Sequence, residues 1–154
     1  HSAFKWSLYA PSIDNNLQGL RRFADSLNRL VNRWVEADPV RRMGISIIYP
    51  GFDDAGVDGW GAGSRVLGPK TIDFYETTMD SADASGLDWV LVVTLNDWNE
   101  GTIVEPSVLD QFGFERAEAT RAWVEKFKGM ESAYPLSVRE VVQDHYERLG
   151  DRYH

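Results

Sequence analysis

Trp89-Val90-Leu91-Val92-Val93-Thr94-Leu95 is a continuous apolar run that leads directly into Asn96-Asp97-Trp98-Asn99-Glu100-Gly101-Thr102. A run of this length, rich in β-branched residues, is the pattern of a parallel strand buried on both faces. Outward from it, residues 43–49, Met43-Gly44-Ile45-Ser46-Ile47-Ile48-Tyr49, read as a second strand stopped by Pro50-Gly51. Residues 4–9 read as a first strand, ending at Ala10-Pro11-Ser12. Between these two, residues 17–36 predict a helix. Leu20, Phe23, Ala24, Leu27, Leu30, Val31 and Trp34 recur at three and four, while Arg21, Arg22, Asp25, Asn28 and Arg33 lie elsewhere on the wheel. A second helix is expected over residues 72–85, with Gly86 as its stop. A third is expected over residues 115–128, where Ala119, Trp123 and Phe127 are spaced by four, and a last over residues 137–149, after Pro135. The order β, α, β, long loop, α, β, loop, α, α is the alternation of a parallel β/α protein.

The 154 residues, 43% hydrophobic and 26% charged, have the size and composition of one globular domain, and exclude disorder, collagen and coiled coil. No uninterrupted apolar stretch of about 18 residues is present, so no membrane span is expected. Sixteen Lys and Arg against twenty-four Asp and Glu give a net charge of −8, which repels phosphate backbones and anionic lipid and disfavours nucleic acid as a partner. Without cysteine there is no disulfide framework, no thiolate nucleophile and no cysteine zinc site, and the compartment stays open. Six Trp residues supply core filling and also flat faces on which sugar rings stack.

Three strands are few. A closed eight-stranded barrel typically takes about 250 residues, and an open doubly wound sheet has five strands or more. The expectation is therefore that residues 1–154 form either a single domain or part of a larger β/α domain, whose sheet edges are completed by a missing N-terminal half or by self-association. Residues 51–70 hold six of the thirteen glycines and follow a strand end, where β/α proteins place their working loops; the alternative is a surface excursion.

The chemistry concentrates at the end of the third strand. Asp97 and Glu100 are carboxylates three apart at the carboxyl end of a strand, flanked by Asn96 and Trp98 and followed by Glu105-Pro106. An Asp/Glu pair is the minimum equipment for glycoside hydrolysis: one group stays ionised as base or nucleophile, the other protonates the leaving oxygen. The competing structural explanation is that Asp97 caps the loop and Glu100 pairs with an arginine. Asn96 is a candidate for holding a substrate hydroxyl or orienting Asp97. Trp98 is a candidate stacking face or a wall that desolvates Glu100. Asp53 and Asp54 are candidates for sugar hydroxyls, for calcium with backbone carbonyls, or for capping a turn after Pro50-Gly51. Tyr49, Trp60, Arg65 and Trp6 are candidates for subsite walls, and Glu105 for bracing the loop or touching sugar. No metal site and no cofactor is expected. The chain contains no G-x-S-x-G elbow, phosphate-cradling G-x-x-x-x-G-K-[S/T] loop or H-E-x-x-H helix, and Gly59-Trp60-Gly61-Ala62-Gly63 does not open a helix as a dinucleotide loop would.

The string Thr94-Leu95-Asn96-Asp97-Trp98-Asn99-Glu100-Gly101-Thr102-Ile103-Val104-Glu105-Pro106 resembles the T-S-x-N-E-W-x-E-G-T-x-I-E-P signature of glycoside hydrolase family 99 and the related WbsX-type proteins. Tyr49-Pro50-Gly51-Phe52-Asp53-Asp54 is similar to the P-G-Y-D-D element one strand earlier in the same group. The resemblance covers residues 43–107. It implies a TIM-like (β/α) barrel, of which this chain supplies C-terminal strands, and a retaining enzyme acting on α-mannosidic linkages. It assigns Asp97 to assisting attack by the substrate's own 2-hydroxyl and Glu100 to acid/base work on the glycosidic oxygen. The chain departs from the pattern by having Asp where family 99 has Glu, one methylene shorter, and misplacement by about 1 Å costs about a hundredfold in rate. The N-D-x-x-E form also resembles the motif of family 71 α-1,3-glucanases, which invert. The expected partner is thus an α-linked oligosaccharide or polysaccharide of mannan or glucan type. The alternative is a non-catalytic glycan-binding or assembly protein on the same scaffold.

Overall fold

The computed structural model describes residues 2–4, 17–57, 66–68, 70–107, 113–131 and 136–153, in two compact units divided between Ile103 and Val104. The first unit is a mixed α/β layer. Strands β1 (Ser2–Phe4), β2 (Met43–Ile48) and β5 (Trp89–Val92) form a parallel sheet in the order β1-β2-β5, linked by helices α1 (Leu17–Glu36) and α2 (Ile72–Ala84). Two short antiparallel pairs rise from the strand ends: β3 (Phe52–Asp53) with β4 (Val66–Leu67), and β6 (Asn96–Asp97) with β7 (Thr102–Ile103). Strands that neighbour each other in chain order with helical crossovers are shared by β/α barrels and by one wing of an open sheet, and the described strands do not close a barrel.

Helix α1 begins and ends where its periodicity places it, and buries Ala24, Asn28 and Val31 on one stripe. Thr71 caps α2, its Oγ1 accepting the Phe74 N–H at 3.3 Å, and Gly86, at φ +65°, follows its last turn. Both helices lie against β2. A Cβ on Gly44 would stand 2.9 Å from Val31 and 3.1 Å from Val35 of α1, so Gly44, and by strand alternation the fully buried Ser46 and Ile48, face the helices. Polar contacts align the layers. Asn28 Nδ2 donates to Ser81 O at 2.8 Å and Asn32 Nδ2 to Ser85 O at 2.9 Å, while the Tyr49 N–H donates to Thr78 Oγ1 at 3.1 Å.

The other face of the sheet differs from expectation. The register places Trp89 beside Ile45 and Leu91 beside Ile47, opposite the helices. Trp89 is 60% exposed, Leu91 43% and Met43 39%, so the third strand is covered on one face and not on both. That strand is also shorter than its apolar run. Pairing ends with the Val93 N–H on Ile48 O at 2.9 Å, after which Thr94 turns to the hairpin, its N–H donating to Thr102 O at 2.9 Å. Residues 5–9 of the expected first strand lie outside the described residues.

At the carboxyl end of the sheet, Ile47, Tyr49 and Phe74 form a core cluster closed by Leu17, Phe52 and Val93, with the Tyr49 and Phe74 rings edge to face at 5.8 Å. Gly68, at φ +78°, passes this cluster so closely that a Cβ would lie 2.1 Å from the Phe74 ring. Phe74 is 1% exposed and has no room to yield. Gly68→Ala is therefore expected to destabilise the chain by about 2–4 kcal/mol through strain and overpacking together, read as a lower denaturation midpoint at unchanged slope.

The second unit contains α3 (Glu115–Lys128), at its expected bounds, and α4 (Val138–Tyr153), longer than expected at its carboxyl end. Trp123 stacks on Phe127 at 4.9 Å, and Gly129, at φ +60°, ends α3. Ser137 and Glu140 cap α4 reciprocally: the Glu140 N–H donates to Ser137 Oγ at 3.2 Å and the Ser137 N–H to Glu140 Oε2 at 2.7 Å. Hydrogen bonds to the Glu140 carboxylate from the Ser137 backbone N–H, then from its hydroxyl, lower the Glu140 pKa. Among the described residues, no helix is long and apolar enough to cross a membrane.

Candidate active site

Two loops meet where β2 and β5 end side by side. The loop after β5 is the β6–β7 hairpin. Asn96 pairs with Ile103 and Asp97 with Thr102, leaving Trp98, Asn99, Glu100 and Gly101 as the turn, with Gly101 at φ +66° where a side chain would be strained. Thr94 is its inner brace. Thr94 Oγ1 accepts the Asp97 N–H at 3.1 Å and lies 2.8 Å from both Thr102 O and Thr102 Oγ1.

Asp97 Oδ1 in turn accepts the Glu100 N–H at 3.1 Å. This is the turn-capping contact that competes with a chemical role, and it fixes the Glu100 backbone relative to the Asp97 carboxylate. Both residues are half-buried; Asn96 is exposed, and Trp98 is 45% exposed on the turn. One local turn thus carries Asp97, Glu100 and an accessible indole.

The loop after β2 grips this hairpin from the side. The Asp53 N–H donates to Glu100 O at 2.8 Å. Gly56, in the short 3-10 turn Asp54–Gly56, passes the hairpin so closely that a Cβ would stand 2.9 Å from Asn99 O. The Asp53 carboxylate accepts the Ala55 N–H at 3.0 Å through Oδ1 and binds Lys70 Nζ at 2.8 Å through Oδ2. The hydrogen bond from Lys70, then that from Ala55, holds the Asp53 carboxyl below its ordinary pKa. Lys70 was not among the candidates from sequence. Its only signal there is that it and Arg65 are the two basic residues in a glycine-rich loop that also carries Asp53 and Asp54.

Tyr49 is 6% exposed inside the core cluster, where burial pushes its phenol pKa up, so its ring offers little surface to a ligand. Asp54 is fully buried. Glu105 belongs to the second unit and is half-buried. Trp60, Arg65 and Trp6 lie outside the described residues. Among the described residues, no three His, Asp or Glu side chains are gathered in a way that could hold a metal ion.

The architecture has solved counterparts. Over 71% of its length the chain is similar to 37% of the glycoside hydrolase family 99 endo-α-mannosidase from Bacteroides thetaiotaomicron, solved with bis-tris-propane, at a TM-score of 0.57 and 22% identity. A structure described as a glycoside hydrolase-like protein matches 68% of this chain and 32% of its own, at a TM-score of 0.53 and 16% identity. At these identities the likeness is one of fold. The chain spans about a third of the length of the solved proteins it matches. No family model matches the sequence, and no curated protein matches it.

Proposed function

We propose that this chain carries the acid/base hairpin of a glycoside hydrolase acting on an α-linked glycan of mannan or glucan type. The observation that carries the reading is the Asp97–Glu100 turn, standing at the carboxyl end of a parallel strand and bonded to the loop of the neighbouring strand. The carboxyl end of the strands is where parallel β/α enzymes assemble their sites. Glu100 serves as general acid/base on the glycosidic oxygen. Asp97 serves as base, or assists attack by a substrate hydroxyl. Trp98 presents a stacking face, and Asn96 contributes a polar contact to sugar. The fold shared with a family 99 endo-α-mannosidase supports the substrate class. Incubation of the domain completed by its covering strands with α-mannan and α-glucan oligosaccharides, read by product chromatography, tests it: release of shorter sugars is expected, and inertness of the completed domain toward both glycans counts against it.

A second reading, glycan binding without turnover, is favoured by one contact. Asp97 Oδ1 is already committed to the Glu100 N–H, as a purely structural cap would be.

The catalytic domain in this proposal is larger than the chain. Met43, Trp89 and Leu91 are exposed on the face away from the helices, and further parallel strands closing a barrel would cover them. The exposed face is expected to drive association, giving a light-scattering mass above 17.5 kDa. Trp89→Glu with Leu91→Glu is expected to return the mass to that of one chain. A wild-type chain that stays monomeric and does not take up a hydrophobic dye removes the case for covering strands.

A further inference from the structure

We infer that Lys70 is a positioning residue for Glu100, acting through Asp53. The inference rests on the acid/base role proposed for Glu100. Three contacts link Lys70 and Asp53 to the Glu100–Gly101 segment. The Asp53 N–H holds the Glu100 carbonyl at 2.8 Å. The Asp53 carboxylate is held in turn by Lys70 at 2.8 Å. The Lys70 side chain also lies against Gly101, its Nζ and Cε 2.8 and 3.1 Å from where a Cβ would stand.

Lys70 therefore covers the peptide that follows Glu100 while fixing the residue that binds its carbonyl. A glutamate carboxyl is separated from its backbone by three rotatable bonds, so its aim depends on a backbone that does not shift. The hairpin's own bonds, from Asp97 and Thr94, fix its internal shape. The Lys70–Asp53 pair instead fixes where that hairpin stands relative to β2. The pair is partly shielded, with side-chain exposures of 32% and 25%, and the bond is charge-assisted. Lys70 stands immediately before Thr71, the cap of α2, so its backbone is anchored by a helix that packs on the same strand.

Lys70→Met and Lys70→Arg in the full chain test this, with thermal unfolding recorded to establish that each is folded. The first readout is hydrogen exchange of the Asp53 amide, which reports the bond to Glu100. The Met variant is expected to exchange about tenfold faster and the Arg variant to stay within about threefold of wild type. The second is the Asp53 carboxyl titration. Because Lys70 depresses this pKa, the stability the pair contributes is present above the unfolded value of about 3.9 and is lost as pH falls through the lower folded value. In Lys70→Met the carboxyl titration moves up toward 3.9. The third is turnover of α-linked mannose or glucose oligosaccharides, with kcat expected to fall about tenfold to a hundredfold at a KM within about twofold, and to recover in Lys70→Arg. Unchanged exchange in Lys70→Met overturns the inference, as does a rise in KM at constant kcat, which would make Lys70 a substrate contact. Inertness of the wild-type domain completed by its covering strands would instead sink the acid/base reading, while exchange and titration would still report the tether.

Discussion

Glu100→Gln is expected to lower turnover of an α-linked oligosaccharide by about 10²–10⁴-fold while leaving glycan affinity within a few-fold of wild type. Glutamine preserves the size of the side chain and its capacity to accept a hydrogen bond, and the backbone bonds from Asp97 and Asp53 involve only the Glu100 peptide groups. The change therefore removes the transferable proton while keeping those backbone bonds. Leaving-group dependence sharpens the test. A departing sugar alkoxide needs a proton, whereas an activated phenolate does not, so the loss should be large for oligosaccharides and small for dinitrophenyl glycosides. Calorimetric titration of the glycan against both proteins separates binding from chemistry. Equal turnover by wild type and variant would remove Glu100 from the mechanism. Binding by both without turnover by either would establish the non-catalytic reading.

Asp97→Asn is expected to cost a similar factor, and its comparison with Asp97→Ala divides two roles that one carboxylate combines. Asparagine retains an Oδ1 to accept the Glu100 N–H, now 3.1 Å away, so the turn persists while the charge is lost. Alanine loses both, and should add a destabilisation of about 0.5–2 kcal/mol, the usual range for removing a side-chain cap. A purely structural Asp97 predicts an asparagine variant as active as wild type and an alanine variant that is merely less stable. A chemical Asp97 predicts two inactive variants, only one of them destabilised. Denaturation midpoints measured beside kcat decide between the two.

Much of the helical layer was legible in the sequence because periodicity reports a helix directly. The stripe of α1 and the spacing of Ala119, Trp123 and Phe127 give bounds that the structure repeats. The two carboxylates were legible as a pair because three-residue spacing after a strand end fits one turn. What escaped was set by pairing between distant segments. The run from Trp89 to Leu95 is apolar throughout, yet pattern alone does not say that its strand stops at Val92, or that one of its faces lies uncovered beside Met43. Tyr49 stands one residue past β2, and its spacing does not distinguish a ring turned toward a cleft from one packed on Phe74. Asp53 looked like a ligand for sugar or calcium because adjacent carboxylates after Pro50-Gly51 allow either. Its partner Lys70 is seventeen residues away in the sequence, beyond the reach of any local rule.

The two asparagines of α1 make an alignment code. Asn28 and Asn32 are one turn apart, as are their acceptors Ser81 and Ser85, so the two helices are matched at two points one turn apart. A purely greasy contact between the helices would tolerate sliding. Here a slip of one full turn, about 5.4 Å, leaves only one of the two bonds, and any smaller slip leaves neither. Thr78 then ties α2 to the end of β2, and Lys70 arrives two residues ahead of the first turn of α2. An error in helix phase would therefore be delivered to the Lys70–Asp53 contact, which spans 2.8 Å.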